Sequence, residues 1–229
     1  NFNMELVGLV VGDEPRCWEE AGFTVVGGSK VLLGSVTIHL RPQCGQGIIS
    51  CSLRNSSANE KKGVIDVDGL HFDVTQANFT SSPAISNCSV KKHANGSIGI
   101  DHVVVTSGDL GSIQRSLADR LGLVPKRTWQ PQTGPRSKMN FAFFRVGPVV
   151  LECVAPKTPK RSGSKFWGLA MIVENLDHTT EILGTKVGAI KSAVQRGRRI
   201  CTLKTEQLGI SVPIVFMSKP HQNCEVSKL

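Results

Sequence analysis

One stretch of this chain occurs twice, and such a repeat narrows the fold more than any composition figure. Val146-Gly147-Pro148-Val149-Val150-Leu151-Glu152-Cys153-Val154-Ala155-Pro156 is echoed, one residue shorter, by Leu33-Gly34-Ser35-Val36-Thr37-Ile38-His39-Leu40-Arg41-Pro42. Upstream of each copy lie the same signals in the same order: an apolar strand, a polar turn, a helix and a Gly turn. In the first copy these are Leu6 to Val11, Gly12-Asp13, Pro15 to Glu20 and Ala21-Gly22-Phe23. In the second they are His102 to Thr106, Gly108-Asp109, Gly111 to Arg120 and Leu121-Gly122-Leu123.

The second helix is well signalled. Asp109 is placed to cap it, Leu110, Ile113, Leu117 and Leu121 form an apolar stripe at helical spacing, and Gly122 ends it. The first is shorter, with Pro15 in its first turn and Trp18 as its anchor. Further strands are expected at Gly47 to Leu53, Phe166 to Val173, Arg199 to Lys204 and Val212 to Met217. Val64 to Val74 reads as a hairpin around Asp68-Gly69, and Leu176 to Leu183 as a short helix ended by Gly184. The Ser/Asn/Lys-rich residues 76 to 98 read as a connection between two domains, 1–95 and 98–218, with a tail at 219–229.

The strands beginning at Ile100 and Val149 each contain one residue that an apolar strand rarely accommodates. Ile100-Asp101-His102-Val103-Val104-Val105 carries His102, and Val149-Val150-Leu151-Glu152-Cys153-Val154 carries Glu152. A polar group in such a strand needs a hydrogen bond, a counter-charge or a metal. The two residues open and close one βαβββ unit, which points to a cleft between them. Equally, they could form a buried His–Glu hydrogen bond with no chemistry attached.

The formal net charge is +9 in 229 residues. That balance suits anionic small molecules, nucleic acid or acidic surfaces. The basic residues form no dense tract, Tyr is absent and aromatics make up only 5% of the chain, so nucleic acid is disfavoured. No run of 18 apolar residues occurs, which excludes a spanning helix. Seven Cys with no CxxC spacing favour a reduced compartment, cytoplasmic or an organelle interior. Against this stand sequons at Asn55, Asn78, Asn87 and Asn95, which keep secretion as a minor alternative.

The order and spacing of these motifs resemble the vicinal oxygen chelate superfamily, the glyoxalase/bleomycin-resistance/dioxygenase fold. The resemblance is clearest over residues 98 to 218. It rests on Ile100-Asp101-His102-Val103-Val104 with Asp109-Leu110, on Phe143-Phe144-Arg145-Val146-Gly147, and on Val150-Leu151-Glu152. It continues through Trp167-Gly168-Leu169-Ala170, Asn175-Leu176-Asp177, Gln195 to Ile200 and Val212-Pro213-Ile214. The resemblance implies an α+β fold of tandem βαβββ modules forming curved mixed sheets around a cleft, the N-terminal copy being degenerate.

It also implies a metal site with one ligand from the first strand and one from the last strand of each unit. His102 and Glu152 match. In the following unit the corresponding positions read as Ala170 and Phe216, and in the N-terminal copy as Leu6 and His39. Half a site remains, so the expected cofactor is at most a weakly bound divalent cation. On this basis Glu152 is the catalytic candidate and His102 with Glu152 the metal candidates. Arg145, Trp167 and Arg198 are the substrate-binding candidates. Each has a bland counterpart: an outward strand residue for Arg145, a core Trp, a solvated basic turn for Arg198.

The function implied is binding of a small, anionic oxygenated compound in a sheet cleft, with metal-assisted lyase or isomerase chemistry as its catalytic form. A non-catalytic sequestering protein, and more remotely a basic scaffold or regulatory subunit, are the other readings. The expected partner is a small-molecule ligand, with a homodimer admitted.

Overall fold

The computed structural model describes residues 4–56, 62–76 and 92–219. The first repeat unit folds as β1 (Met4–Val11), α1 (Pro15–Glu20), β2 (Val25–Val26), β3 (Lys30–Leu33) and β4 (Val36–Leu40). It is followed by β5 (Ile48–Asn55), β6 (Gly63–Val67) and β7 (Leu70–Gln76). The second repeat unit is β8 (Ser97–Thr106), α2 (Leu110–Leu121), β9 (Arg127–Trp129), β10 (Met139–Val146) and β11 (Val149–Pro156). A further unit then runs through β12 (Lys165–Val173), α3 (Leu176–Leu183), β13 (Lys191–Ser192), β14 (Arg199–Thr202) and β15 (Ile214–Ser218).

Pairing shows why the repeat matters. In each helix-bearing unit the last strand returns parallel to the first: β4 beside β1, β11 beside β8, and β15 beside β12. Antiparallel seams then join units, β1 to β5 in one sheet and β8 to β12 in the other. Among the described residues this gives a seven-stranded sheet, β2-β3-β4-β1-β5-β7-β6, and an eight-stranded sheet, β13-β14-β15-β12-β8-β11-β10-β9. The two echoed segments occupy the equivalent strands β4 and β11. The degeneracy expected of the N-terminal half lies in its second unit, where β5, β6 and β7 follow without a helix among the described residues.

Local chemistry sets the element ends as anticipated. The Asp109 side chain accepts from the Gly111 N–H at 2.8 Å, and Gly122 closes α2 at φ 67°. Ile113, Leu117 and Leu121 are buried against one face of the eight-stranded sheet. The hairpin between β6 and β7 turns on Asp68 and Gly69, both at positive φ. Trp18 is fully buried, its indole N–H donating to Asp13 at 3.0 Å.

One apolar cluster runs continuously through both sheets. Phe72 of β7 meets Phe166 of β12 edge-on, with centroids 5.4 Å apart. Asp13 lies 3% exposed between the halves, accepting from Trp18 on one side and from the backbone N–H and hydroxyl of Ser211 on the other. Asn95 adds a second tie: its side chain donates to the Ala21 carbonyl, and its own carbonyl accepts from Thr179. That amide is fully buried, so the sequon at Asn95 is closed to a glycan in the folded chain. Asn55 is likewise buried, while Asn78 and Asn87 lie outside the described residues.

His93 gives the fold a pH dependence. Its Nδ1 accepts from the Thr24 N–H at 2.9 Å, so Nε2 carries the proton directed at the Leu32 carbonyl, 2.8 Å away. The ring must be neutral to do both. Burial holds its pKa below the ordinary value of 6.5 against the opposing pull of the Leu32 carbonyl. Burial, with Lys30 and Arg41 nearby, lowers His39 in the same sense. Both folded pKa values lie below the unfolded one, so this stability is full above about pH 6.5 and is lost as pH falls from there through the folded values. Thermal unfolding is expected to shift to lower temperature between pH 7.5 and 5.5. His93→Gln, uncharged throughout, should flatten part of that slope; an unchanged slope would remove His93 from the account.

Candidate functional site

The helices cover one face of the eight-stranded sheet, and the other face is open. Strand alternation sends Val103, Val105, Leu151 and Cys153 into the helix-side core. It leaves His102, Val104, Val150 and Glu152 half-buried on the opposite face. In the parallel β8–β11 pair His102 is level with Val150, and Glu152 with Val104. The two functional candidates therefore stand diagonally across neighbouring strands. His102 Nε2 lies 3.5 Å from Glu152 Oε2, and both side chains are about one-seventh exposed, at 16% and 14%.

A residue not singled out from the sequence completes the arrangement. Asp101 precedes His102 and should project to the opposite face of a regular strand. Pairing with β12 slips here: Ala170 opposes His102 but Met171 opposes Ile100, leaving Asp101 unpaired in a β-bulge. A bulge places two consecutive side chains on one side of the sheet. Asp101 Oδ2 consequently reaches His102 Nδ1 at 2.8 Å, while Oδ1 accepts from Arg198 Nη1 at 2.6 Å.

Arg198 is correspondingly buried, 6% exposed. Its Nη1 also donates to Gln195 Oε1, and its Nε donates to the Ser218 carbonyl at 2.9 Å. Nη2 is buried without a partner among the described residues. The solvated basic turn expected there is found at the neighbouring residue instead: Arg199 is exposed and forms a two-pronged ion pair with Asp177.

Electrostatics follow from these contacts. Burial alone would push the Asp101 carboxyl up. The hydrogen bond to His102 and the Arg198 guanidinium outweigh it and hold the group below the usual carboxylate range. An ionised Asp101 accepts the His102 Nδ1 proton. The Nε2 lone pair of a neutral ring then points towards the Glu152 carboxylate. Lone pair facing carboxylate is unfavourable until a proton, a hydroxyl or a cation stands between them.

The other candidates lie further off. Arg145, on β10 opposite Val150, shares a row with His102 but sits two strands away. Its Nη1 donates to the Pro148 carbonyl at 3.1 Å, and it lines a cleft with Glu5, Gly147 and Pro148 where the two sheets meet. Trp167 stands at a second bulge, between Phe166 and Gly168, and is 49% exposed rather than in the core.

Two ligand atoms 3.5 Å apart suit one metal ion at about 2.0–2.2 Å from each. No third His, Cys, Asp or Glu joins them among the described residues. Across the seam Ala170 takes the place of His102. By register the counterpart of Glu152 is Met217; Phe216, expected there from sequence, points into the core. In the N-terminal unit Gly8, level with Thr37, occupies the His102 position rather than the buried Leu6, and His39 the Glu152 position. His39 belongs to the other sheet, opposite Lys30. The donor set falls short of the three or four ligands a stable site carries.

Residues 101–202 match the profile of the glyoxalase/bleomycin resistance protein/dioxygenase superfamily. Among solved structures, a xylose isomerase-like TIM barrel/4-hydroxyphenylpyruvate dioxygenase fusion protein aligns over 100% of this chain with a TM-score of 0.64 at 10% identity. The chain spans 51% of that protein, and the likeness is one of fold. Methylmalonyl-CoA epimerase from Mycobacterium tuberculosis aligns at 18% identity over 55% of this chain and 90% of its own, with a TM-score of 0.42. A Streptomyces coelicolor methylmalonyl-CoA epimerase variant in complex with 2-nitronate-propionyl-CoA aligns at 16% identity over 52% of this chain and 96% of its own, with a TM-score of 0.41. A search among curated proteins finds no match.

Proposed function

We propose, from the match of residues 101–202 to the vicinal oxygen chelate superfamily, that the chain is a member of it and binds a small, anionic oxygenated compound on the open face of the eight-stranded sheet. The His102–Glu152 pair then moves a proton to or from that compound. The observation that carries this is the 3.5 Å gap between His102 Nε2 and Glu152 Oε2, with Nδ1 engaged by Asp101. A gap that needs a proton or hydroxyl between its two walls is a receptor for a substrate O–H or an acidic C–H. Glu152 is the base and His102 the group that holds the proton, oriented by Asp101. Arg198 keeps Asp101 ionised and so acts through it, and Arg145 and Trp167 border the face without joining the pair.

No step is routed through a metal, because the donors present fall short of a site. Dialysis against a chelator is expected to leave well under one equivalent of Zn²⁺, Ni²⁺ or Mn²⁺ per chain. Stoichiometric retention would require ligands beyond His102 and Glu152 and would return metal assistance to the chemistry.

The direct test is isotope exchange. Panels of 2-oxo and 2-hydroxy acids are incubated in D₂O with the full chain, and deuterium uptake beside the carbonyl is followed by NMR. Uptake is expected for the accepted member, falling by about 10²–10⁴-fold in Glu152→Gln with the thermal midpoint unchanged. Exchange undiminished in that variant would end the role of Glu152.

Ligand binding without exchange would favour the second reading, a non-catalytic binding protein. One specific feature supports it: three of the four positions related to His102 and Glu152 by the repeats are Gly8, Ala170 and Met217, none of which moves a proton.

A further inference from the structure

The outer strands of the eight-stranded sheet hold a feature that the proton-transfer pair does not use. Register sets Trp129 opposite Phe141, and Arg127 opposite Phe143. Phe141 is in turn opposite Val154, and Phe143 opposite Glu152. Directly opposed residues share a face, so the aromatic side chains stand on the same open face as Glu152. The Trp129 and Phe141 centroids are 5.0 Å apart; those of Phe141 and Phe143 are 6.5 Å apart with the rings within 9° of parallel. The Arg136 guanidinium lies over Phe141, 5.7 Å from its centroid. Phe141 is 3% exposed, so its ring is taken up by these neighbours. Trp129 and Phe143 are only half-buried, and each keeps part of its ring surface free.

Cationic charge is available beside these rings. Arg54, Arg198 and Arg199 each meet a carboxylate. Arg127 and Arg136 are exposed, and among the described residues neither has a carboxylate within ion-pair reach. A guanidinium binds a carboxylate edge-on and stacks on a flat ring, and it does both better than an ammonium. Thr106, level with Val154 in the Phe141 row, has a buried hydroxyl with no partner among the described residues, a group that a bound ligand could satisfy.

We infer that the β9–β10 side of the open face is a subsite for a flat, conjugated carboxylate, its ring against Trp129 and Phe143 and its carboxylate on Arg127. This rests on the open face being the ligand site, and adds the ligand's class to it. Arg127 and Glu152 stand two strands apart, roughly 10 Å. A ring anchored at Arg127 therefore directs its far edge towards the His102–Glu152 gap. A non-planar anion would use the guanidinium without the rings, and a neutral ring the reverse, so planarity and charge are recognised together.

The test uses three probes against the full chain by titration calorimetry: 2-naphthoate, cyclohexanecarboxylate and 2-naphthol. Naphthoate is expected to bind at least about tenfold more tightly than either of the others. Arg127→Gln and Phe143→Leu should each weaken it about tenfold or more, and Phe143→Tyr should retain it, with thermal melts confirming that each variant is folded. Absence of saturable naphthoate binding, equal affinity for cyclohexanecarboxylate, or undiminished binding in both weakened variants overturns the subsite. The His102 imidazole resonances separate this inference from the reading beneath it. Naphthoate binding that needs Arg127 and Phe143 but leaves those resonances unmoved upholds the subsite and removes the proton-transfer pair from it. Small 2-oxo acids that shift them without regard to Arg127 or Phe143 do the opposite.

Discussion

Arg198→Met is expected to destabilise the protein by about 3–5 kcal/mol, a large share of the roughly 5–15 kcal/mol that holds a domain together. The mechanism is an abandoned charge. Asp101 is largely buried, its side chain 14% exposed, and Arg198 is the cation that meets it at 2.6 Å. Methionine fills the volume but leaves the carboxylate facing apolar surroundings, with His102 as its remaining partner. Urea unfolding with the chain at neutral pH measures the loss. The double variant Arg198→Met/Asp101→Asn should recover most of it, since removing both charges leaves no uncompensated ion. The same pair gives an acid-side signature. The folded pKa of Asp101 lies below its unfolded value, so its contribution is full above about pH 4 and disappears as pH falls through the folded value. That acid-side dependence should shrink in Arg198→Met. A single variant as stable as wild type would mean that the ion pair contributes nothing net.

Asp13→Ala should cost a comparable amount, about 3–5 kcal/mol, by a different route. One carboxylate serves three donors: the Trp18 indole N–H, the Ser211 backbone N–H and the Ser211 hydroxyl. Truncation orphans them in a buried place, where each unsatisfied group costs about 1–3 kcal/mol. Trp18 belongs to α1 and Ser211 to the segment leading into β15, so the loss is felt by both sheets together. Native-state hydrogen exchange should show protection falling jointly in β1 and β15. Loosening confined to α1 would show that Asp13 serves its own unit alone.

Much of the architecture could be read in the residues. The Leu33–Pro42 and Val146–Pro156 echo located β4 and β11, and Asp109 and Gly122 bounded α2, because repeats, caps and stripes are local signals. The diagonal meeting of His102 and Glu152 followed from placing one on the first and one on the last strand of a unit whose ends pair in parallel. What escaped was register. Alternation sets Phe216 as the counterpart of Glu152 where Met217 stands, and a slip of one residue swaps the faces of a strand; it sets Leu6 as that of His102 where Gly8 stands, because β1 has an irregularity between those two residues. Asp101 was missed for the same reason, since alternation assigns it to the wrong side. The burial of Arg198 beside the exposed Arg199 also had no local signal: a turn such as Gln195 to Arg199 looks equally basic whichever arginine points inwards.

The bulge at Asp101 acts as a shift in reading frame. A strand is read in steps of two, and β8 changes phase at Asp101, so that Ile100 and Val103 both face the core although three positions separate them. Deleting the single residue Asp101 would therefore not reverse the core pattern; it would bring Ile100 and Val103 into one frame and remove this one slip from the ladder with β12. The site does not survive that edit, for His102 loses the carboxylate at its Nδ1 and Arg198 its counter-charge, and a buried guanidinium left uncompensated weakens the sheet as well. One irregular residue thus decides which side chains share this face and supplies the carboxylate that the buried Arg198 meets.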